Sequence, residues 1–469
     1  MNQRFKTATS DEKPNSIEKT PERSETAKSR DSSAGFRSRL TLLLRAFRHR
    51  NYRFFFSGQV ISLTGTWMQT LAQSWLVYRL TGSSMALGLV GFTSQIPIFL
   101  FATIGGAVAD RYSRHRIIVA TQTISMILAF ILAGLTLSGR VQIWHVYVLA
   151  ALLGTVNAFD IPARQAFVVD MVGREDLINA VALNSSVFNS ARIIGPAIAG
   201  VLVASLGEGW CFFANAVSYI GVITGLLMME VQTQKHVQMA GSALSGVVDG
   251  FGYVGRTRPV RALLILLGCV SLMGMPYAVL MPIFADQILH GGARGLGLLM
   301  GASGVGAVIG AIRLAMHPDA NDLGHVVTYA AMGFGASLIL FSLSRSFWLS
   351  VALLIPVGFC MIVETASSNT LIQTMTPGLL RGRVMAVHAM MFTGMAPFGA
   401  LLAGTLAHHL GAPVTLVIGG VVCIIAGAGF GLRLPPFRYD ADHVLIALRR
   451  AGGNPADETT GDGSIHAAR

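Results

Sequence analysis

Long apolar runs, separated by short polar segments, follow one another along most of the chain. A helix that crosses the hydrocarbon core of a bilayer needs about 20 mostly apolar residues. The pattern therefore predicts an all-α, polytopic membrane protein with twelve spans. The predicted spans are 54–78, 84–109, 117–138, 143–168, 180–206, 210–229, 262–288, 296–316, 326–344, 347–370, 384–408 and 412–434.

The positions of Lys and Arg provide a test of this span count. Cytoplasmic loops of membrane proteins carry an excess of both residues. With the N-terminus in the cytoplasm, 29 of the 35 Lys and Arg residues fall on the cytoplasmic side and four in outer loops. The remaining two, Arg192 and Arg313, lie within spans. A missed span would invert every later loop, so we expect twelve spans with both termini in the cytoplasm.

The two ends of the chain differ in composition from the apolar spans. Only 12% of all residues are charged, against about 25% in soluble proteins. Half of the net charge of +12 comes from residues 1–50, so the charge does not indicate nucleic-acid binding. Residues 1–35 are rich in Ser, Thr, Glu and Lys and are expected to form a disordered cytoplasmic tail. Residues 36–50 alternate Arg with Leu and Phe, which predicts an interfacial amphipathic helix. Residues 435–469 are expected to form a second cytoplasmic tail.

The longest segment between spans, residues 230–261, divides the spans into two groups of six. This predicts a six-helix bundle over 51–229, a cytoplasmic linker over 230–261 and a second bundle over 262–434. A shift of 204 residues superimposes 144–207 on 348–411 with 12 identities in 64 positions, where chance would give about five. The two bundles are therefore expected to be pseudo-symmetric.

The loop between the second and third spans reads GGAVADRYSRHR. Its Gly106, Asp110, Arg111 and Arg114 match the loop signature G-x-L-A-D-R-x-G-R-[RK] of the major facilitator superfamily, which the chain resembles, although three other positions differ. The resemblance implies the major facilitator fold. It also implies that the glycine permits a close helix contact and that the carboxylate rests on the N-terminus of the eleventh helix, near Arg383, and latches the outward-facing state. The alternative is a loop that is positive only because it is cytoplasmic.

The fifth span contains ARIIGPAIAG, with Arg192, Gly195, Pro196 and Gly200. It is similar to the motif G-x-x-x-G-P-x-x-G-G of drug/proton exporters, with Ala in place of Gly twice, and this resemblance favours export. Arg192 falls near the bilayer midplane. An arginine that faces lipid at that depth costs at least about 2.5 kcal/mol, so Arg192 should face the bundle interior or a wet cavity. A packing motif with a structurally paired arginine is the alternative.

Two acidic residues within spans, Asp160 and Glu364, occupy equivalent positions in the repeat. A desolvated carboxyl can take up and release a proton, so both are candidates for proton coupling, together with Arg192. For Asp160 we favour an ion pair with Arg164 four residues on. Glu364 has no basic neighbour in sequence; it could carry the proton, complement a cationic substrate or pair with Arg192. The motif L-x-x-x-R-x-x-Q-G, which such exporters often carry in the fourth span, is absent.

Polar and aromatic residues within spans are candidates for a substrate cavity. In the superfamily, spans one, four, seven and ten line the central cavity, and such side chains suit a bulky, partly apolar ligand. Helix packing is the alternative explanation for any single member of the set. The candidates are Trp67, Gln69, Gln73, Asn157, Asn189 and Glu364.

The pattern over residues 40–435 is similar to one branch of the superfamily, which includes enterobactin exporters and macrolide-efflux-type proteins. The resemblance implies a proton-coupled secondary exporter of a siderophore, drug or bulky metabolite in the bacterial inner membrane, working by alternating access. Two alternatives stay open. One is an uptake permease for a small metabolite, and the other is a membrane receptor that binds its ligand without transporting it.

Enzyme or ATP-driven pump chemistry is not indicated. A P-loop needs G-x-x-x-x-G-K-[ST], and none of the five lysines follows a glycine. His408 and His409 are adjacent and so do not share a helix face, which argues against a metal site. We expect a monomer whose partners are a small-molecule substrate, protons and the lipid bilayer, with no cofactor and no nucleic acid.

Overall fold

The computed structural model describes residues 44–173, 175–230, 243–316 and 323–434. The predicted tails, residues 1–35 and 435–469, lie outside the described residues. So do most of the predicted amphipathic helix and residues 231–242 of the predicted linker. All twelve predicted spans fall within the described ranges.

Those ranges are almost entirely α-helical, and helices account for every long apolar run in the sequence. Short π-helical segments, Val270–Gly274 and Phe284–Ile288, interrupt the seventh span, and a 3-10 turn, Leu44–Arg48, precedes the first. The helices are α1 Arg50–Thr81, α2 Ser84–Arg111, α3 Arg114–Leu137, α4 Ile143–Val172, α5 Leu177–Leu206, α6 Glu208–Leu227, α7 Ala243–Arg256, α8 Arg258–Cys269, α9 Tyr277–Ile283, α10 Gly292–Met316, α11 Leu323–Leu343, α12 Phe347–Thr374, α13 Gly378–Phe392, α14 Ala396–Leu410 and α15 Ala412–Leu432.

The predicted spans correspond closely to these helices. Eleven helical segments of the described chain are long and apolar enough to cross a membrane. The first span, α1, is 32 residues long but less apolar, because it buries polar side chains inside its bundle, among them Gln59, Ser62 and Gln69. The prediction of an all-α fold with twelve transmembrane helices is confirmed.

Two spans are built from more than one helix. The seventh combines α8 and α9, and the interruption between them contains Gly274 and Pro276. The eleventh combines α13 and α14, which separate just before Pro397, the second residue of α14. Both breaks coincide with helix-breaking residues. The eleventh span was predicted to begin at 384; it begins at Gly378, directly after Pro377, because its polar first turn continues the helix beyond the apolar run.

The same helix contacts recur in the two halves, and glycines of the sequence repeat make them. A Cβ on Gly154 of α4 would overlap the carbonyl oxygen of Ser94 in α2, and one on Gly358 of α12 would overlap that of Ser303 in α10. Gly154 and Gly358 are equivalent in the repeat. Small residues at such positions let helix backbones approach closely in a membrane. The predicted pair of pseudo-symmetric six-helix bundles is confirmed.

Glycine pairs also join one bundle to the other. We call the end where α1 meets α2 the outer end, and the end where α2 meets α3 the inner end. Near the outer end, α2 crosses α14 at Gly88 and Gly404, and α5 crosses α10 at Gly200 and Gly297. A Cβ on Gly404 would lie 2.7 Å from the Cα of Gly88, and one on Gly200 would lie 3.0 Å from the Cα of Gly297. The outer end is therefore closed by direct backbone contact.

Side chains extend this closure toward the middle of the protein. The Tyr78 hydroxyl donates a 2.8 Å hydrogen bond to Asp286 across the outer end. Phe398 of α14 packs edge-on against Phe92 and Phe99 of α2, with ring centroids 6.3 and 5.8 Å apart. These contacts hold the bundles together from the outer end of α2 to the middle of that helix.

Candidate functional site

A cavity of about 120 Å³ lies between the two bundles at the level of Arg192. Trp67 and Arg192 form the wall contributed by the first bundle. The second bundle contributes a wall that is largely apolar and rich in sulfur. It consists of Met275, Tyr277, Ala278, Met281, Leu299, Met300, Ser303 and Met361. A concave, mostly apolar space with a few polar groups is the usual form of a small-molecule site.

Arg192 presents its guanidinium group to this cavity. The central guanidinium carbon lies 5.9 Å from the ring centroid of Trp67, a distance at which a cation interacts with an aromatic face. One guanidinium nitrogen lies 3.6 Å from the sulfur of Met361 in the opposite bundle. In the described part of the chain, no carboxylate oxygen lies within 4.0 Å of the guanidinium nitrogens. The arginine therefore bridges the two walls of the cavity without a counter-ion.

The glycines of the fifth span hold Arg192 in this place. A Cβ on Gly195 would lie 2.5 Å from the Cβ of Trp67, so only glycine lets α5 pack this closely on α1. Five residues further on, Gly200 makes the crossing with Gly297. The Gly-Pro segment of α5 therefore packs between α1 and α10, and this packing places Trp67 beside Arg192.

Asp160 belongs to a buried polar network inside the first bundle. It accepts hydrogen bonds from Thr121 at 2.7 Å and from Gln122 at 2.9 Å, and it forms an ion pair with Arg164. Arg164 in turn donates to Gln59 of α1 at 2.8 Å. The network joins α1, α3 and α4, and it contains the ion pair expected from the four-residue spacing. Asp160 is not among the residues that line the cavity.

Arg164→Gln is expected to reduce the free energy of unfolding by about 2 kcal/mol, because it leaves the Asp160 carboxylate buried and uncompensated. The value is below that for a fully buried pair, because 22% of the Arg164 side chain is exposed. Denaturant titration in detergent micelles measures it. The double variant Asp160→Asn/Arg164→Gln should regain part of the loss. Equal losses in Arg164→Gln and in the exposed control Arg313→Gln would contradict this explanation.

Glu364 is fully buried within the second bundle, on α12. Its carboxylate accepts hydrogen bonds from the hydroxyls of Ser368 at 3.2 Å and Thr365 at 3.3 Å, both on its own helix. No cation of the described ranges lies within 4.0 Å of it. The alternative in which Glu364 pairs with Arg192 across the cavity is not realised, because Met361, one turn earlier, faces the arginine instead.

The remaining predicted cavity residues lie outside the cavity lining. Gln69 is turned into the first bundle, where it accepts a 2.6 Å hydrogen bond from Asn215. Asn189 donates to a backbone carbonyl of its own helix at 2.9 Å. Gln73 and Asn157 are half-buried, and neither is part of the lining. Trp67 and Arg192 are the predicted residues that the structure brings together.

Sequence reasoning missed the wall contributed by the second bundle. Its polar contribution is a pair of hydroxyls, Tyr277 and Ser303, joined by a 2.7 Å hydrogen bond between the seventh span and α10. The available signal was the tyrosine directly after Pro276, where the seventh span is interrupted. Within the described ranges, no three His, Cys, Asp or Glu side chains are grouped to hold a metal ion. The polar groups of the cavity-lining side chains are the guanidinium of Arg192, the indole N–H of Trp67 and the hydroxyls of Tyr277 and Ser303.

The two adjacent glycines of the loop motif differ in their contacts in this conformation. The glycine in helix contact is Gly105, not Gly106, because a Cβ on Gly105 would overlap the carbonyl oxygen of Ala158 in α4. Within the described ranges, nothing lies within 4 Å of a Cβ on Gly106. Successive helix residues point about 100° apart, so only one of the two glycines can face α4. Gly106 faces open space at the inner end.

The charged residues of the motif make contacts within the first bundle. Arg114 forms a 2.8 Å ion pair with Asp170 at the end of α4, and Arg111 is exposed. The Asp110 side chain is 78% exposed, and Arg114, at 3.9 Å, is its one ion-pair partner among the described residues. Arg383 of α13 pairs with Asp249 of α7 instead, at 2.7 Å. The latch implied by the resemblance is therefore not formed in this conformation.

Comparison with known proteins gives several relatives that match most of the chain. The staphyloferrin A transporter of Staphylococcus aureus is 26% identical over 79% of this chain and 94% of its own length. The multidrug efflux pump Tap of Mycolicibacterium fortuitum is 26% identical over 77% of this chain and 90% of its own. The enterobactin exporter EntS of Escherichia coli O157:H7 is 27% identical over 88% of this chain and 96% of its own.

Solved structures support the same fold. An inward-facing, occupied structure of a bacterial homologue of the human lysosomal transporter Spinster matches with a TM-score of 0.64 and 13% identity, over 83% of this chain and 97% of that one. The family profile described as transmembrane secretion effector matches residues 43–447. The chain therefore belongs to the transmembrane secretion effector family of the major facilitator superfamily.

Proposed function

We propose that the protein is a proton-coupled secondary exporter that moves a bulky small molecule by alternating access. The observation that carries this proposal is the central cavity, because both bundles line it and both close over it at the outer end. A site placed between two pseudo-symmetric bundles can open to either side as the bundles rock against each other. The named relatives, a staphyloferrin A transporter, an enterobactin exporter and a multidrug pump, support siderophores or drugs as the substrate class.

In this mechanism the two ends of the protein open alternately. The glycine crossings and the Tyr78–Asp286 hydrogen bond separate when the outer end opens. The inner ends then close, and Asp110, which is exposed in the present conformation, reaches the N-terminus of α13 at Gly378. The partial positive charge of a helix N-terminus favours a carboxylate there. At Gly106 an added Cβ would have no contact within 4 Å among the described residues, and the missing side chain supplies room for that contact.

Glu364 is the proton carrier in this proposal, in preference to Asp160. Asp160 has a permanent cation, Arg164, and two hydrogen-bond donors, so its charged form is compensated. Glu364 accepts hydrogen bonds from two hydroxyl groups, and no cation of the described residues lies within 4.0 Å of its carboxylate. A charge in such a place is costly, so a change in its exposure during the transport cycle changes its proton occupancy.

The orientation follows from the positive-inside rule. Because 29 of the 35 Lys and Arg residues fall on one side of the predicted topology, the inner end faces the bacterial cytoplasm and both termini lie there. Both walls of the cavity belong to the same chain, so the proposed transport cycle needs no second copy, and we propose that the transporter works as a monomer.

A test of the function uses purified protein in proteoliposomes loaded with a pH-sensitive dye. An imposed pH gradient should drive movement of at least one compound from a panel of siderophores and drugs, and addition of that compound should change the internal pH. A protonophore should abolish both signals, and empty liposomes provide the control. If no compound of a wide panel evokes proton movement, proton-coupled transport is not the function.

The direction of transport separates export from uptake by a permease. Exporters named among the relatives and the similarity of the fifth span to the exporter motif favour export. In loaded cells the protein should accelerate loss of the substrate; accumulation of external substrate would instead indicate a permease. A compound that binds and never crosses the membrane would indicate a receptor.

A further inference from the structure

Among the described residues, no carboxylate compensates the charge of Arg192. Other partly buried arginines of the first bundle have carboxylate partners: Arg114 pairs with Asp170 and Arg164 with Asp160. Arg192 instead faces Trp67 and Met361, neither of which carries a charge. A cation kept at the bilayer centre without a counter-ion is costly, and an anionic ligand in the cavity removes that cost.

The rest of the cavity suits an apolar or aromatic body. Four methionines and Leu299 line the wall opposite Arg192, and thioether side chains adapt their shape to irregular apolar ligands. Trp67 offers an aromatic surface beside the guanidinium. The hydroxyls of Tyr277 and Ser303 add a polar group that can turn to a ligand oxygen.

We propose that the cavity recognises an amphipathic organic anion, whose charged group is bound by Arg192 and whose apolar part lies against the methionine-rich wall. This inference rests on the proposed transport function and specifies its substrate class. An organic cation is disfavoured, because it would meet Arg192, while the carboxylates that could compensate it are engaged elsewhere. Glu364 is hydrogen-bonded within α12, and Asp160 is paired with Arg164.

Three small probes with the same aromatic body and different charge test the proposal: naphthalene-2-sulfonate, 2-naphthylmethanol and 2-naphthylmethylammonium. Calorimetric titration of the full-length protein in a non-ionic detergent should give the tightest binding for the sulfonate. Arg192→Gln should weaken sulfonate binding by about tenfold or more, since a charge-assisted contact is lost. It should leave binding of the neutral alcohol within about twofold, because the apolar wall is intact.

Two further variants act as controls. Arg192→Lys keeps the charge but loses the planar geometry, so it should retain part of the sulfonate preference and shows that loss of charge, rather than misfolding, causes the effect. Arg313→Gln removes an arginine that is exposed on α10 and outside the cavity, and it should bind all three probes like the unaltered protein. Equal sulfonate binding by folded Arg192→Gln, or a preference for the ammonium probe, would overturn the proposal.

The binding experiment tests the anion site and the transport experiment tests the transport function, so each proposal can be contradicted without the other. If sulfonate binding depends on Arg192 but no compound crosses the proteoliposome membrane, the anion site stands and the transport function is wrong. If a compound is transported but Arg192→Gln binds the sulfonate as well as the unaltered protein, the function stands and the anion site is wrong.

Discussion

Gly404→Val is expected to prevent closure of the outer end and to reduce transport by about 100-fold. At this position a Cβ would lie 2.7 Å from the Cα of Gly88 and 2.8 Å from the carbonyl oxygen of Ser84. Both are backbone atoms, which cannot move aside as a flexible side chain can. Overpacking costs about 1–3 kcal/mol, and a penalty near the upper limit shifts a two-state equilibrium by about 100-fold. The outward-open state, which separates the two helices, avoids that penalty.

The measurement is labelling of a cysteine in the cavity by an impermeant maleimide added from outside. Met300→Cys provides the reporter, in a protein whose four native cysteines are replaced by alanine. Labelling should be faster with Gly404→Val and with Gly200→Val, its equivalent in the repeat. Gly221→Val is the matched control, because no atom of the described residues lies within 4 Å of a Cβ there. Unchanged labelling in both crossing variants would mean that these glycines do not set the outer closure.

The spans and the two-bundle fold were predictable from sequence because the bilayer imposes them. Apolar length and the side preference of Lys and Arg act on every span alike, so errors at one helix end do not spread. The repeat was visible where both halves meet the same packing constraint, as at Gly200 and Gly404. A helix register was harder to predict: both Gly105 and Gly106 fit a close contact in the sequence, and only the rotation of α2 decides between them.

The candidate site was predictable in part. Arg192 and Trp67 stood out because a cation or an indole group within an apolar run needs an explanation. The methionine-rich wall did not stand out. An apolar residue in an apolar span can face lipid, a neighbouring helix or a cavity, and the pattern of apolar and polar residues in the sequence is the same in each case. Gln69 shows the opposite difficulty, because it stood out in the sequence as a cavity candidate but lies outside the cavity lining. A polar residue within a span satisfies its hydrogen bonds inside the bundle as readily as in a cavity, and Gln69 does so with Asn215.

Glu364→Gln is expected to abolish proton-driven transport while the protein still folds. Glutamine has nearly the same shape. Its side-chain oxygen can accept the hydrogen bond from Ser368, and its amide group can donate to the hydroxyl oxygen of Thr365, whose proton has a second acceptor in the carbonyl oxygen of Met361. It remains neutral throughout the cycle and so cannot carry a proton. Because no cation pairs with Glu364 among the described residues, the substitution leaves no charge uncompensated, and we expect the free energy of unfolding to change by less than about 1 kcal/mol.

Two transport assays on the same proteoliposomes separate coupling from translocation. With an imposed pH gradient, Glu364→Gln should show neither substrate movement nor a change in internal pH. With substrate on both sides and no gradient, it should still exchange labelled for unlabelled substrate, because exchange needs the conformational cycle without net proton transfer. Asp160→Asn is the matched control: it removes a buried carboxyl from the equivalent position of the first bundle, and it should lower stability but retain proton coupling. Gradient-driven transport by Glu364→Gln, or loss of coupling in folded Asp160→Asn alone, would assign the proton to another group.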